Sequence, residues 1–130
     1  MDPAIHTSGW SSRRILVTGH TGFKGGWLSH WLSILGADVH GMSLDPLATP
    51  NLFGAAGVKS ILATDKRGDI ADFDQVKKAI STAQPEVVFH LAAQPLVRES
   101  YADPLGTLRT NVIGTANVLE AVRSCPSVRA

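Results

Sequence analysis

The chain has 130 residues, 44% hydrophobic and 18% charged, with 12 basic and 11 acidic side chains and a net charge of +1. That balance suits a globular domain and excludes a general attraction to nucleic acid or anionic membrane surfaces. A single cysteine, Cys125, excludes a disulfide framework and a multi-cysteine metal site, and no apolar run approaches the ~18–20 residues of a membrane span.

Residues 1–12 lack the hydrophobic core of a secretory signal and read as a flexible leader. Arg14 to Thr18, with Ile15-Leu16-Val17 at its centre, predicts a first strand. Residues 22–35 predict a helix in which Trp27, Trp31 and Leu35 recur at i, i+4, i+8 beside Leu28 and Leu32, a spacing that predicts a buried stripe. Gly36 follows at the place of a left-handed cap. Val39 to Ser43 predicts a second strand, residues 44–57 a long loop with one short turn at Pro50 to Phe53, and Ser60 to Thr64 a third strand. Asp72 starts a helix over Phe73 to Ala83, with Phe73, Val76 and Ile80 on one side, and Gln84-Pro85 ends it. Residues 86–91 hold Val87-Val88-Phe89, apolar on both faces as in a central parallel strand. Asp103-Pro104 pairs a cap with proline at the first helical position and opens a long helix to about Ser124, its face carrying Leu105, Leu108, Val112, Val118 and Leu119.

Strands alternating with crossover helices predict an α/β fold: a Rossmann-like, doubly wound parallel sheet with about four strands. Residues 127–130 read as the approach to a fifth strand, so the expectation is an incomplete domain over 13–130, a fragment or a truncated product without its substrate domain.

Gly19, Gly22 and Gly25 lie between the first strand and the first helix, in Gly19-His20-Thr21-Gly22-Phe23-Lys24-Gly25. A helix start offers unpaired N–H groups and a partial positive charge, and glycines let an anion approach closely. This strand, glycine turn and helix predict a dinucleotide pyrophosphate site, with Thr21 in the turn and Phe23 and Lys24 lending backbone N–H groups. The Lys24 side chain either meets phosphate or substrate or is solvated. It is not a Walker lysine, because Gly25 follows it. Asp45, about 26 positions after Gly19, suits a bond to the adenosine ribose or a turn before Pro46. No arginine occupies residues 42–47, which favours NAD over NADP. The five histidines show no metal spacing, and His90 in an apolar strand reads as a satisfied core residue.

The glycine turn, Gly68-Asp69-Ile70, His90-Leu91-Ala92-Ala93-Gln94, Ser100-Tyr101-Ala102-Asp103-Pro104 and Asn111-Val112-Ile113-Gly114-Thr115 together resemble the extended short-chain dehydrogenase/reductase family, which acts on nucleotide-activated sugars. The Phe23-Lys24 variant of the turn, Trp27-Leu28-Ser29, Leu44-Asp45-Pro46 and Thr49-Pro50-Asn51-Leu52-Phe53 are similar to its CDP-glucose 4,6-dehydratase branch. The resemblance covers residues 13–130. It implies that Asp69 and Ile70 meet the adenine ring, although a helix-capping role for Asp69 stays open. It implies that Leu91, Ala92 and Ala93 pass close to the cofactor, that Gln94 borders the substrate, and that Asn111 stabilises the sheet and site. Thr107 is a candidate for the nicotinamide side, and Arg98, Ser100 and Tyr101 face sugar or loop.

The implied reaction is a lyase reaction with transient hydride transfer through bound NAD. In the family a Tyr-x-x-x-Lys motif removes the sugar hydroxyl proton. The only tyrosine here, Tyr101, is followed four residues later by Leu105, so no catalytic residue is assigned and no dehydratase turnover is expected of this chain alone. Alternatives are an epimerase or reductase of the same family, or a non-catalytic dinucleotide-binding or interaction module. A cytoplasmic location, CDP-glucose as the substrate of a full-length enzyme and possible self-association complete the expectations.

Overall fold

The computed structural model describes residues 9–130. Ile15, Leu16 and Val17 form the centre of β1 (Arg14–Thr18). Side chains alternate between the faces of a strand, so an unbroken apolar run needs cover on both. Ile15 and Val17 pack with Val39 and Leu32 on one side, and Leu16 packs with Met42, Ile80 and Val118 on the other.

The chain continues through α1 (Phe23–Ile34), β2 (Asp38–Ser43), α2 (Leu52–Ala55), a 3-10 turn (Val58–Ile61), β3 (Thr64–Arg67), α3 (Phe73–Ala83) and β4 (Val87–His90). It then forms α4 (Val97–Ala102), α5 (Pro104–Leu108), a π-helical stretch (Arg109–Ile113) and α6 (Gly114–Arg123). The four strands run parallel in the order β3-β2-β1-β4. The fold is therefore the Rossmann-like α/β arrangement expected. The chain passes from β1 to β2 on one side and reaches β4 on the other, which opens a crevice at the carboxyl end of β1.

Caps follow sequence logic. The Asp72 carboxylate accepts from the N–H groups of Asp74 and Gln75 at the start of α3, and Asp103 accepts from Gly106 at the start of α5 with Pro104 at the first position. Gly36 adopts φ +86 just beyond α1.

Several expectations are corrected. Trp27 and Trp31 do not form a buried stripe: they are 56% and 63% exposed. The buried face of α1 is instead made by Gly25, Gly26, Ser29 and Leu32, small residues that let the helix lie close to its neighbours. The third strand lies at Thr64–Arg67 rather than at residues 60–64, where the apolar pair Ile61-Leu62 closes the 3-10 turn. An edge strand has one unpaired side and tolerates polar residues, so β3 carries little hydrophobic signal. Of the face assigned to the last long helix, Leu105, Leu108, Val112 and Leu119 are exposed, and only Val118 is buried. The π-helical stretch adds a residue to the turn and rotates a stripe counted at α-helical spacing. Gly114, Val118 and Ala121 form the packed face of α6. The short helix α4 has no counterpart among the predicted elements.

β4 is half-buried rather than central. Residues 129–130 run beside it: the Arg129 N–H donates to the Glu86 carbonyl at 2.8 Å, and the Val88 N–H donates to the Ala130 carbonyl at 2.9 Å. Of the expected flexible leader, residues 1–8 lie outside the described residues. Residues 9–12 are docked on the domain, with the Ser12 N–H donating to the Gly36 carbonyl at 2.8 Å and Trp10 packed on Phe89.

Candidate functional site

The chain leaves β1 at Thr18 and turns at Gly19, whose φ of +80 is disfavoured for any residue with a Cβ. A Cβ there would also lie 2.8 Å from the Ala92 backbone nitrogen, in the loop that follows β4. Gly25 presses on the same turn from the first turn of α1, and a Cβ on it would sit 2.9 Å from His20 Cα as well as against the Gly19 carbonyl. Gly22 is less constrained, with a Cβ contact of 3.4 Å to the Gly19 carbonyl. No side chain caps α1, and its first turn carries no acid. Its amino end therefore presents backbone N–H groups and a partial positive charge to the crevice. These residues fit a diphosphate: a tight backbone corner, a bare helix start and no competing carboxylate.

Thr21 is buried. Its hydroxyl donates to the Leu44 carbonyl at 2.8 Å and pairs with Ser43 Oγ at 2.8 Å, tying the turn to the end of β2. Phe23 and Lys24 are exposed, and Lys24 makes no ion pair among the described residues.

Asp45 is exposed beyond the end of β2, where its carboxylate meets Arg67 Nε at 2.8 Å. Asp69 does not cap α3. Its carboxylate accepts from the Ala71 N–H at 2.8 Å. The Ile70 side chain does not lie open for an adenine ring: it is buried in the core, where a Cβ on Gly114 would come within 2.6 Å of its Cδ1.

Leu91 and Ala92 pass directly over the glycine turn, with Ala93 next in the same loop. Both of their N–H groups donate to Thr18 Oγ1 at 3.1 Å. That hydroxyl has its acceptor capacity filled, so its proton goes to His90 Nδ1 at 2.7 Å. The other ring nitrogen then carries the proton and donates to Thr115 Oγ1 at 3.0 Å, and Thr115 donates to the Asn111 carbonyl at 2.7 Å. The Asn111 side chain completes the chain of bonds. Its oxygen accepts from the Gln94 N–H at 2.8 Å and its amide donates to the Gln94 carbonyl at 3.0 Å. Gln94 Nε2 donates to Thr107 Oγ1 at 2.9 Å. His90 is thus a satisfied histidine, and burial lowers its pKa. Asn111 lies in the π-helical stretch, which ties the loop after β4 to the helix beneath it.

Sequence reasoning missed Thr18 and Arg67. Thr18 ends a strand in a run of β-formers and looks like one more of them. Arg67 comes from β3, which was placed too early. No group of three or more His, Cys, Asp or Glu gathers at metal distance among the described residues, and no described helix is long and apolar enough to cross a membrane.

The sequence model of the GDP-mannose 4,6 dehydratase family matches residues 16–130. The chain belongs to this family. Among its relatives, the CDP-glucose 4,6-dehydratase of Salmonella typhimurium is 46% identical over 121 residues, which cover 93% of this chain and 33% of the relative. The UDP-glucose 4-epimerase of Mycolicibacterium smegmatis is 39% identical over 115 residues, covering 85% of this chain and 34% of that protein. The structure of Thermus thermophilus UDP-glucose 4-epimerase in complex with NAD superposes with a TM-score of 0.72 at 32% identity, over 85% of this chain and 34% of the other. The chain therefore spans about a third of the length of the relatives it matches. Within this family it carries the β1 turn and the loop after β4, and no Tyr-x-x-x-Lys sequence. Tyr101 is exposed on α4.

Proposed function

We propose that this chain is the dinucleotide-binding part of a nucleotide-sugar 4,6-dehydratase, with NAD as its cofactor and CDP-glucose as the sugar nucleotide. The corner at Gly19, locked by Gly25 beneath it and opening on an uncapped helix start, is the observation that carries the reading. Phe23, Lys24 and Gly25 would meet the pyrophosphate through backbone N–H groups, and Asp45 would face the adenosine ribose. Leu91, Ala92 and Ala93, held by Thr18 and the Asn111–Gln94 clamp, would border the remainder of the cofactor. NAD, when bound, supplies reversible hydride transfer, and the protein supplies orientation and electrostatics. The higher identity to the CDP-glucose enzyme, 46% against 39% for the epimerase, favours dehydration over epimerisation. A cytoplasmic setting accords with the single cysteine.

The test is NAD titration of the folded chain followed by amide NMR and calorimetry. Signals from His20 through Trp27 should shift. Gly25→Ala, which forces a side chain into the corner, should lower affinity by about tenfold or more, whereas Gly22→Ala should change it only a few-fold. Unmoved signals in that stretch at millimolar NAD would overturn the reading.

A further inference from the structure

The sequence window around the end of β2 holds no arginine, but the fold brings one there from β3. Arg67 Nε lies 2.8 Å from Asp45 Oδ1, and its Nη1 lies 2.7 Å from Asp65 Oδ1. The guanidinium stacks on Phe53 with its carbon 4.8 Å from the ring centroid. Asp65 in turn accepts from His20 Nε2 at 2.8 Å, beneath the glycine turn. Arg67 is therefore anchored on its inner side by an aromatic face and a nearly buried carboxylate. Its side chain remains 33% exposed, and Nη2 has no partner among the described residues.

The usual selection of NAD rests on a bare carboxylate at the end of the second strand, which bonds the ribose hydroxyls and repels a 2′-phosphate. The strand's own terminal polar group, Ser43, is spent on Thr21, which leaves Asp45 as the acid at that end. Asp45 is not bare. A guanidinium sits against it at contact distance with the opposite charge, and a planar fork with a free nitrogen is the group best suited to a phosphate. We propose that Arg67 is a specificity-determining residue for the 2′ position of the adenosine ribose: by compensating Asp45 it lets the site accept a 2′-phosphorylated dinucleotide beside the unphosphorylated one. The inference rests on the dinucleotide reading above and extends it to the choice between NAD and NADP.

Calorimetric titration of the chain and its variants with NAD⁺ and with NADP⁺ decides it. Arg67→Met should weaken NADP⁺ about tenfold more than NAD⁺, because it exposes Asp45 and removes the phosphate's partner. Arg67→Lys, which keeps the charge, should stay close to the parent ratio. Asp45→Asn should shift the ratio towards NADP⁺. Its side chain is 84% exposed, so this variant folds even if Arg67→Met does not, and it then decides the matter alone. The proposal is overturned if Arg67→Met weakens both dinucleotides by the same factor, or if Asp45→Asn leaves the ratio unmoved. If the parent binds neither dinucleotide, the dinucleotide reading itself falls, a result distinct from unselective binding of both.

Discussion

Thr18 shows how one hydroxyl can hold a site together. It accepts from two N–H groups of the loop after β4 and donates to His90, so all its hydrogen-bonding capacity is in use in a buried place. Thr18→Val keeps the shape and removes every one of these bonds. The Leu91 N–H keeps the Thr18 carbonyl as an acceptor at 3.2 Å, but leaving the half-buried Ala92 N–H and a His90 ring nitrogen without partners should cost about 2–3 kcal/mol, read as a lower urea midpoint with an unchanged slope. A loss under about 0.5 kcal/mol, the range of an ordinary surface substitution, would show that the network is not needed. Other residues were readable from their neighbours in sequence. Gly19, Gly22 and Gly25 announce a turn because glycine between a strand and a helix has few other uses. Thr18 and Arg67 were not readable, since their roles depend on partners 72 and 22 positions away, Thr18 on His90 and Arg67 on Asp45.

At the scale of elements, α1 separates two properties that periodicity alone confuses. Trp27 and Trp31 recur at helical spacing, but so do Gly25, Ser29 and Leu32, and it is the latter set that faces the sheet. Small residues win the inner face because Gly25 lies against the glycine turn and Gly26 against Leu52 and Val58, leaving no room for an indole. Trp31→Ser should therefore change stability by about 0.5 kcal/mol or less, whereas Leu32→Ala should cost about 2–5 kcal/mol. Chemical denaturation of the pair checks this directly, and the reverse ranking would restore the tryptophan stripe. The π-helical stretch is a second case. A five-residue element of wider turn, Arg109–Ile113, displaces the register that follows it. The sequence signal was there in Asn111, a poor helix former inside a helix. Its meaning emerged only when its side chain met both backbone groups of Gln94.

For the molecule as a whole, the buried His20 and His40 and the half-buried His90 tie stability to pH. Burial is the leading cause that lowers the pKa of His20, of His40 and of His90 from the ordinary 6.5. His20 keeps its lowered value although Asp65 pulls the other way. The folded state thus prefers neutral rings while the unfolded chain takes up protons below about 6.5, so the unfolded state binds more protons there. Stability is fully present above that value and is lost as pH falls towards the lowered folded pKa values. Asp72, held down by its bonds to Gln75, and Glu120, held down by Arg123, add a further loss only below the usual carboxylate range. Thermal midpoints should be level between about pH 7 and 8 and decline between about 6.5 and 5, and a level profile down to 5 would contradict the burial argument.

The strand–turn–helix corner, the caps at Asp72 and Asp103 and the parallel α/β order are all decided within short stretches of chain. Backbone sterics and local hydrogen bonding act over a few residues, so these features could be read without coordinates. The tertiary structure alone decided which face of α1 is buried, where β3 pairs, and which cation meets Asp45. Those outcomes depend on how closely distant segments approach, and packing distance and charge proximity leave no periodic trace in a single sequence.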